Sequence, residues 1–112
     1  MAKRGRSART KGHNFEREMA QVFRELGWSD CVTSRSESKN LDDLGIDLCY
    51  TEPFQIQCKA QEKMDTAPHD LLSSMPEGLN VVIHKRNNKG TIVYLDLKNF
   101  LNLIKEYKHN DY

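Results

Sequence analysis

Gly45-Ile46-Asp47-Leu48-Cys49-Tyr50 and, after Thr51-Glu52-Pro53, Phe54-Gln55-Ile56-Gln57-Cys58-Lys59 alternate apolar with polar residues. Successive side chains of an extended chain point to opposite faces, so Ile46, Leu48 and Tyr50 share one face, as do Phe54, Ile56 and Cys58. Both sets are expected to face one core. With residues 51–53 as a tight hairpin loop, Tyr50 pairs with Phe54, Leu48 with Ile56, and Asp47 with Gln57. Opposed residues in an antiparallel pair have Cβ atoms about 4.5–5.5 Å apart, so Asp47 and Gln57 converge, with Lys59 two residues along on the same side. An acid, an amide and an ammonium then meet at one sheet edge, and a loop one residue longer or shorter would undo the match.

Upstream of this pair, Phe15, Met19, Val22, Phe23 and Leu26 recur at helical spacing and Gly27 ends the pattern, giving a helix over 14–26. At about 100° per residue, Glu16 and Glu18 flank opposite borders of the stripe, and either can look into a site beside the core. Residues 31–35 read as a short strand and Ser36 to Leu44 as a polar loop. Downstream, Asp65 or Thr66 caps a short helix with Pro68 in its first turn, stopped before Pro76. Leu79–Lys85 and Thr91–Leu95 form two strands around the turn at 86–90. Asp96 caps a last helix striped by Leu97, Phe100, Leu101, Ile104 and Tyr107. The order αβββαββα predicts an α/β domain with a mixed β-sheet flanked by helices.

With 112 residues there is room for one core. At 38% hydrophobic and 29% charged residues, with mean hydropathy −0.74, the chain is polar, yet its apolar residues fall in periodic segments that disorder would not require. No window approaches 18 apolar residues and no apolar segment follows the basic start, so the expectation is a cytoplasmic protein without a membrane span or secretory signal. The formal charge of +1 hides an asymmetry. Lys3, Arg4, Arg6, Arg9 and Lys11 fall in residues 1–11 without an acid, leaving 12 bases against 16 acids in the rest. This divides the chain into a basic, flexible arm over 1–11 and a single domain over 12–112. The arm is suited to DNA phosphates or simply to solvent. Cys31, Cys49 and Cys58 lack zinc-ligand spacing and read as reduced core thiols.

An acid followed about ten residues later by a polar-x-Lys strand, with a Glu on the preceding helix, suits metal-dependent cleavage of a phosphodiester. Asp47 can ligate a hard cation, Gln57 can add a neutral carbonyl oxygen, and a helical carboxylate can join directly or through water. Lys59 supplies positive charge beside the phosphate. Each residue alone also has an ordinary structural reading, and it is their conjunction that points to chemistry. None of the four histidines has a partner at triad spacing, and His84 reads as a polar-face strand residue. Trp28 and Tyr50 read as packing residues before base-stacking ones.

These residues resemble the PD-(D/E)xK nuclease superfamily. Lys11-Gly12-His13-Asn14-Phe15-Glu16-Arg17-Glu18 is similar to the KGxxxER opening of archaeal-type Holliday junction resolvases, and the likeness selects Glu16 over Glu18. Gly45-Ile46-Asp47 with Gln57-Cys58-Lys59 is similar to the GID…QCK core of the Mrr-like branch. The likeness runs from about Lys11 to Gln61. It implies a restriction-endonuclease-like core in which Glu16, Asp47 and Gln57 hold Mg²⁺ or Mn²⁺ and Lys59 is the catalytic lysine. Ile46 stands where many members have proline, and Gln57 where most have a carboxylate. Loss of that charge at about 4 Å from a cation forfeits roughly 4 kcal/mol of attraction at an effective dielectric of 20, before compensation.

The resolvase likeness also implies an Arg followed by a loop Ser. Arg35-Ser36-Glu37-Ser38 offers Ser36 or Ser38 for it, and Arg35 and Lys39 join the arm as DNA-contacting candidates. Asp42 reads as a turn residue, with Asp43 open between the turn and the metal site. The function implied is a structure-selective DNA endonuclease, foremost a Holliday junction resolvase, acting as a homodimer on branched DNA. The alternatives are a restriction-like or recombination-associated nuclease of the same superfamily, and a catalytically silent DNA-binding module.

Overall fold

A computed structural model of the chain describes residues 3–110, with side chains from residue 8 onward. Its elements are helix α1 (Lys3–Glu25), strand β1 (Val32–Thr33), short helices α2 (Ser34–Glu37) and α3 (Lys39–Asp43), strands β2 (Leu48–Cys49) and β3 (Phe54–Ala60), helix α4 (Pro68–Ser74), strands β4 (Leu79–Arg86) and β5 (Gly90–Leu95), and helix α5 (Leu97–His109). β4 lies between β3, to which it runs parallel, and β5, to which it runs antiparallel; β1 and β2 form a separate antiparallel pair. The result is an α/β domain with a mixed sheet flanked by helices.

The alternation in β3 sorts its side chains as expected. Phe54, Ile56, Cys58 and Ala60 join Val81 and Ile83 in a core closed by Phe15, Met19, Ala20 and Phe23 of α1. On the opposite face Val82 packs with Ile46, Leu71 and Met75, bordered by Leu72 and Tyr94. Each such buried Val, Leu or Ile contributes about 1.5–3 kcal/mol of transfer free energy. Trp28 sits edge-on between Phe23 and Phe54, and its indole donates to the Glu52 carbonyl at 2.7 Å, which makes it a core residue. The three cysteines are free and buried, and burial pushes the Cys31 and Cys58 thiols up.

The expected β2–β3 hairpin does not form. Leu48 and Cys49 pair with Thr33 and Val32 of β1, and β3 pairs along its whole length with β4. Tyr50, at φ 63°, turns the chain out of extended geometry and is half exposed. The three residues expected on one face therefore separate: Leu48 enters the α1-side core, Ile46 the opposite core, and Tyr50 faces outward.

Helix α1 extends through the segment read as an arm, starting at Lys3 rather than residue 14. It is also rotated relative to the stripe expected from sequence: Ala20 is buried while Val22 and Leu26 are exposed. Residues 15, 16, 19, 20 and 23 share one side of a helix, so this rotation carries Glu16 from the border to the middle of the buried side. The polar loop at 36–44 contains α2 and α3 instead; Ser38 caps α3 by accepting from the Leu41 N–H at 3.3 Å. α4 starts from Ala67 rather than Asp65 or Thr66, with Pro68 opening it. Asp96 caps α5 as expected, accepting from the Lys98 N–H at 2.8 Å.

Candidate active site

β3 is an edge strand, and the edge it turns away from β4 is where Asp47 sits. The Asp47 N–H donates to the Ile56 carbonyl at 2.7 Å, and the Cys58 N–H donates to Asp47 Oδ2 at 2.7 Å. The two bonds centre Asp47 on Gln57, the expected neighbour, by a route other than the expected hairpin. A regular ladder would offer the Cys58 N–H a main-chain carbonyl. Here the Asp47 carbonyl turns instead to the Ser34 N–H at 2.8 Å, and the carboxylate takes its place. Burial raises the Asp47 carboxyl to about 7; the Cys58 N–H opposes the rise, the charges of Glu16 and Asp42 add to it, and Lys59 lowers it. Glu16, Asp42 and Lys59 thus all act electrostatically on this one carboxylate.

Glu16 is buried on α1, and its carboxylate accepts from the Arg35 guanidinium of α2. Glu18, by contrast, is exposed and pairs with Lys85 at 3.7 Å. Of the two helical acids left open by the wheel, Glu16 is the one at the site.

Gln57 is buried, and its Oε1 has no hydrogen-bond partner among the described residues. An unpaired buried carbonyl oxygen costs about 1–3 kcal/mol, so its lone pairs are open to a ligand. Its amide rests on Gly45, whose φ of 83° favours glycine and where a Cβ would meet Gln57 Nε2 at 3.0 Å. Lys59 is half-buried, and its ammonium makes no ion pair or hydrogen bond among the described residues.

Opposite Lys59 in the parallel register stands His84, which is buried rather than on a polar outer face. Its Nε2 bonds the Gln61 carbonyl at 2.6 Å, so that nitrogen carries the proton. Its ring stacks on Tyr94, and its Nδ1, like Gln57 Oε1, is a buried side-chain atom without a partner among the described residues. Sequence reading missed this neighbour because a parallel register has no local signal.

Asp42 is the acid felt by Asp47, whereas Asp43 is exposed and pairs with Lys39 at 3.3 Å. Asp42 keeps its expected place in the turn, its carbonyl accepting from the Gly45 N–H at 3.1 Å, and also acts on Asp47; Asp43, left open by the sequence, faces away to Lys39. Among the candidate DNA contacts, Arg35 is engaged with Glu16, Ser38 caps α3, and Ser36 donates to the Thr33 carbonyl at 2.9 Å. Arg9 and Lys11 are exposed on α1; the side chains of Lys3, Arg4 and Arg6 lie outside the described residues. Beside the site runs a groove of about 320 Å³ lined by His13, Arg17 and Arg24 of α1 with Arg35 and Ser36. The spacing of His13, Arg17 and Arg24 by four and seven residues puts them on one helix side, a periodicity visible in the sequence itself.

Among the described residues, no three of His, Cys, Asp and Glu come together as a metal-binding group. The donors at hand are the carboxylates of Asp47 and Glu16 and the open Gln57 oxygen, a set of hard oxygen ligands suited to Mg²⁺ or Mn²⁺. No helix of the described residues is long and apolar enough to cross a membrane. No protein-family model, no curated protein and no solved structure matches the chain, so the functional assignment rests on the residues themselves.

Proposed function

We propose that the chain is a divalent-metal-dependent endodeoxyribonuclease with a restriction-endonuclease-like core, acting foremost on branched DNA as a Holliday junction resolvase. The observation that carries this reading is the Asp47 carboxylate on the free edge of β3, centred on a buried Gln57 whose carbonyl oxygen has no partner and coupled electrostatically to Glu16 and Lys59. Asp47, Glu16 and Gln57 would hold the ion, which supplies Lewis acidity and a water more easily deprotonated than bulk water. Lys59, not committed to an ion pair, places its ammonium against the phosphate and offsets the negative charge that grows during the reaction. Arg35 neutralises Glu16 and competes with a cation for that carboxylate. The branched substrate and a homodimer are carried by the resolvase-like opening at Lys11–Glu18.

Fluorescent junction, flap, duplex and single-strand substrates, incubated with Mg²⁺ or Mn²⁺, test this. The expected result is cation-dependent cutting, strongest on the junction and lowered at least a hundredfold by Asp47→Ala or Lys59→Ala. Equal cutting of junction and duplex would replace the resolvase assignment with a restriction-like or recombination-associated nuclease. A second reading, a DNA-binding module without catalysis, is favoured by the absence of a three-residue metal group among the described residues and by the neutral Gln57. DNA binding without cation-dependent cutting, unchanged in Asp47→Ala, would establish that reading instead.

A further inference from the structure

We infer that α5 is a self-association surface, pairing antiparallel with α5 of a second copy of this chain. None of the residues of α5 is buried. Leu97, Phe100, Leu101 and Ile104 are 46–68% exposed, although they form a continuous stripe along the helix. A helix of this length is marginal in water on its own and draws its stability from burying such a stripe. Apolar stripes of this size are uncommon on the surface of monomers and mark interfaces.

The stripe matches itself when reversed. About a two-fold axis level with Asn102, Phe100 comes opposite Ile104 of the partner subunit, Leu97 is level with the partner's Tyr107, and Leu101 lies near the partner's Leu101. The reversed arrangement aligns opposite helix dipoles and brings Lys108, in the basic last turn, level with the capping Asp96 of the partner subunit. A parallel pairing would instead gather Lys105, Lys108 and His109 of both copies at one end. Together the stripes of two copies would bury on the order of 1,000 Å², near the lower bound for a specific interface. The inference stands on exposure and self-complementarity alone and is independent of the nuclease reading.

Sedimentation equilibrium of the full chain from about 1 to 100 μM tests it. The expected result is a monomer–dimer equilibrium in which Leu101→Glu or Ile104→Glu weakens association at least a hundredfold. Lys108→Glu, which sets an acid level with the partner's Asp96, weakens it several-fold, and Lys105→Glu on the outer side leaves it unchanged. Circular dichroism melts show whether the variants remain folded; Lys108→Glu against Lys105→Glu decides the matter if the apolar substitutions unfold the chain. A monomer throughout the concentration range overturns the inference, as does a dimer indifferent to Ile104→Glu and Lys108→Glu. Equal weakening by Lys108→Glu and Lys105→Glu overturns the antiparallel register.

Discussion

Asp47 combines two demands that conflict. Its carboxylate completes the hydrogen bonding of β3 by accepting from the Cys58 N–H, and it does so where burial and the charges of Glu16 and Asp42 oppose ionisation. The folded carboxyl therefore keeps its proton up to about 7, whereas the unfolded one releases it near 3.8. Between those values the folded state binds the extra proton, so this residue's contribution to stability is full below about 3.8 and is lost as pH rises toward 7. Asn at this position retains an oxygen for the Cys58 N–H and carries no charge. Asp47→Asn is thus expected to be more stable than the natural protein at pH 8, by on the order of 2 kcal/mol, with the difference vanishing near pH 4. Urea melts across that range measure it; a difference independent of pH would mean that the carboxyl is not strained by its surroundings. Gln57 presents the complementary case, a neutral group whose buried oxygen lacks a donor. A carboxyl held well above its ordinary range by burial and a Gln57 oxygen without a donor are both what a cation would relieve.

At the scale of elements, β3 is where the sequence was most informative. Strict alternation of Phe54, Ile56 and Cys58 with Gln55, Gln57 and Lys59 sorted its two faces correctly, because a buried strand leaves no other arrangement for those side chains. The partner of the strand was not legible. A hairpin was expected from proximity in sequence, yet β3 pairs in parallel with β4 across the crossover through α4, a long-range choice with no local imprint. The positive φ of Tyr50 had no signal either, since tyrosine rarely adopts it. Asp47 nonetheless reached Gln57, because a side chain can stand in where a ladder bond is missing. In α1 the apolar stripe located the helix but not its rotation, which buries Ala20 and exposes Val22 and Leu26. The same rotation puts Arg17 on the groove beside Glu16, with its guanidinium donating, among the described residues, to the Asn14 side chain alone at 3.1 Å. Arg17→Ala is therefore expected to weaken DNA binding and to lower the salt slope of log affinity by about one. Fluorescence anisotropy in EDTA from 50 to 200 mM salt reads it; an unchanged slope would remove α1 from the DNA path. Arg24 is less suited to this test because it also holds the Cys31 carbonyl at 2.6 Å.

For the whole molecule, the two sheet edges divide the work. The outer edge of β3 gathers the ionisable side chains of α1, α3 and β3 into one half-buried place, while α5, which follows the far edge strand β5, presents the apolar stripe inferred to join two copies. Such a dimer would carry two copies of the proposed site, as the proposed paired cuts in a four-way junction require. The account depends most on whether the first of these places holds a cation. Calorimetric titration of Mn²⁺ into the chain measures that directly. One bound ion per chain is expected, with binding abolished by Asp47→Ala and retained or strengthened by Gln57→Glu, which restores a negative charge to the ligand set. Absence of binding, or binding that Asp47→Ala leaves unchanged, would contradict the account.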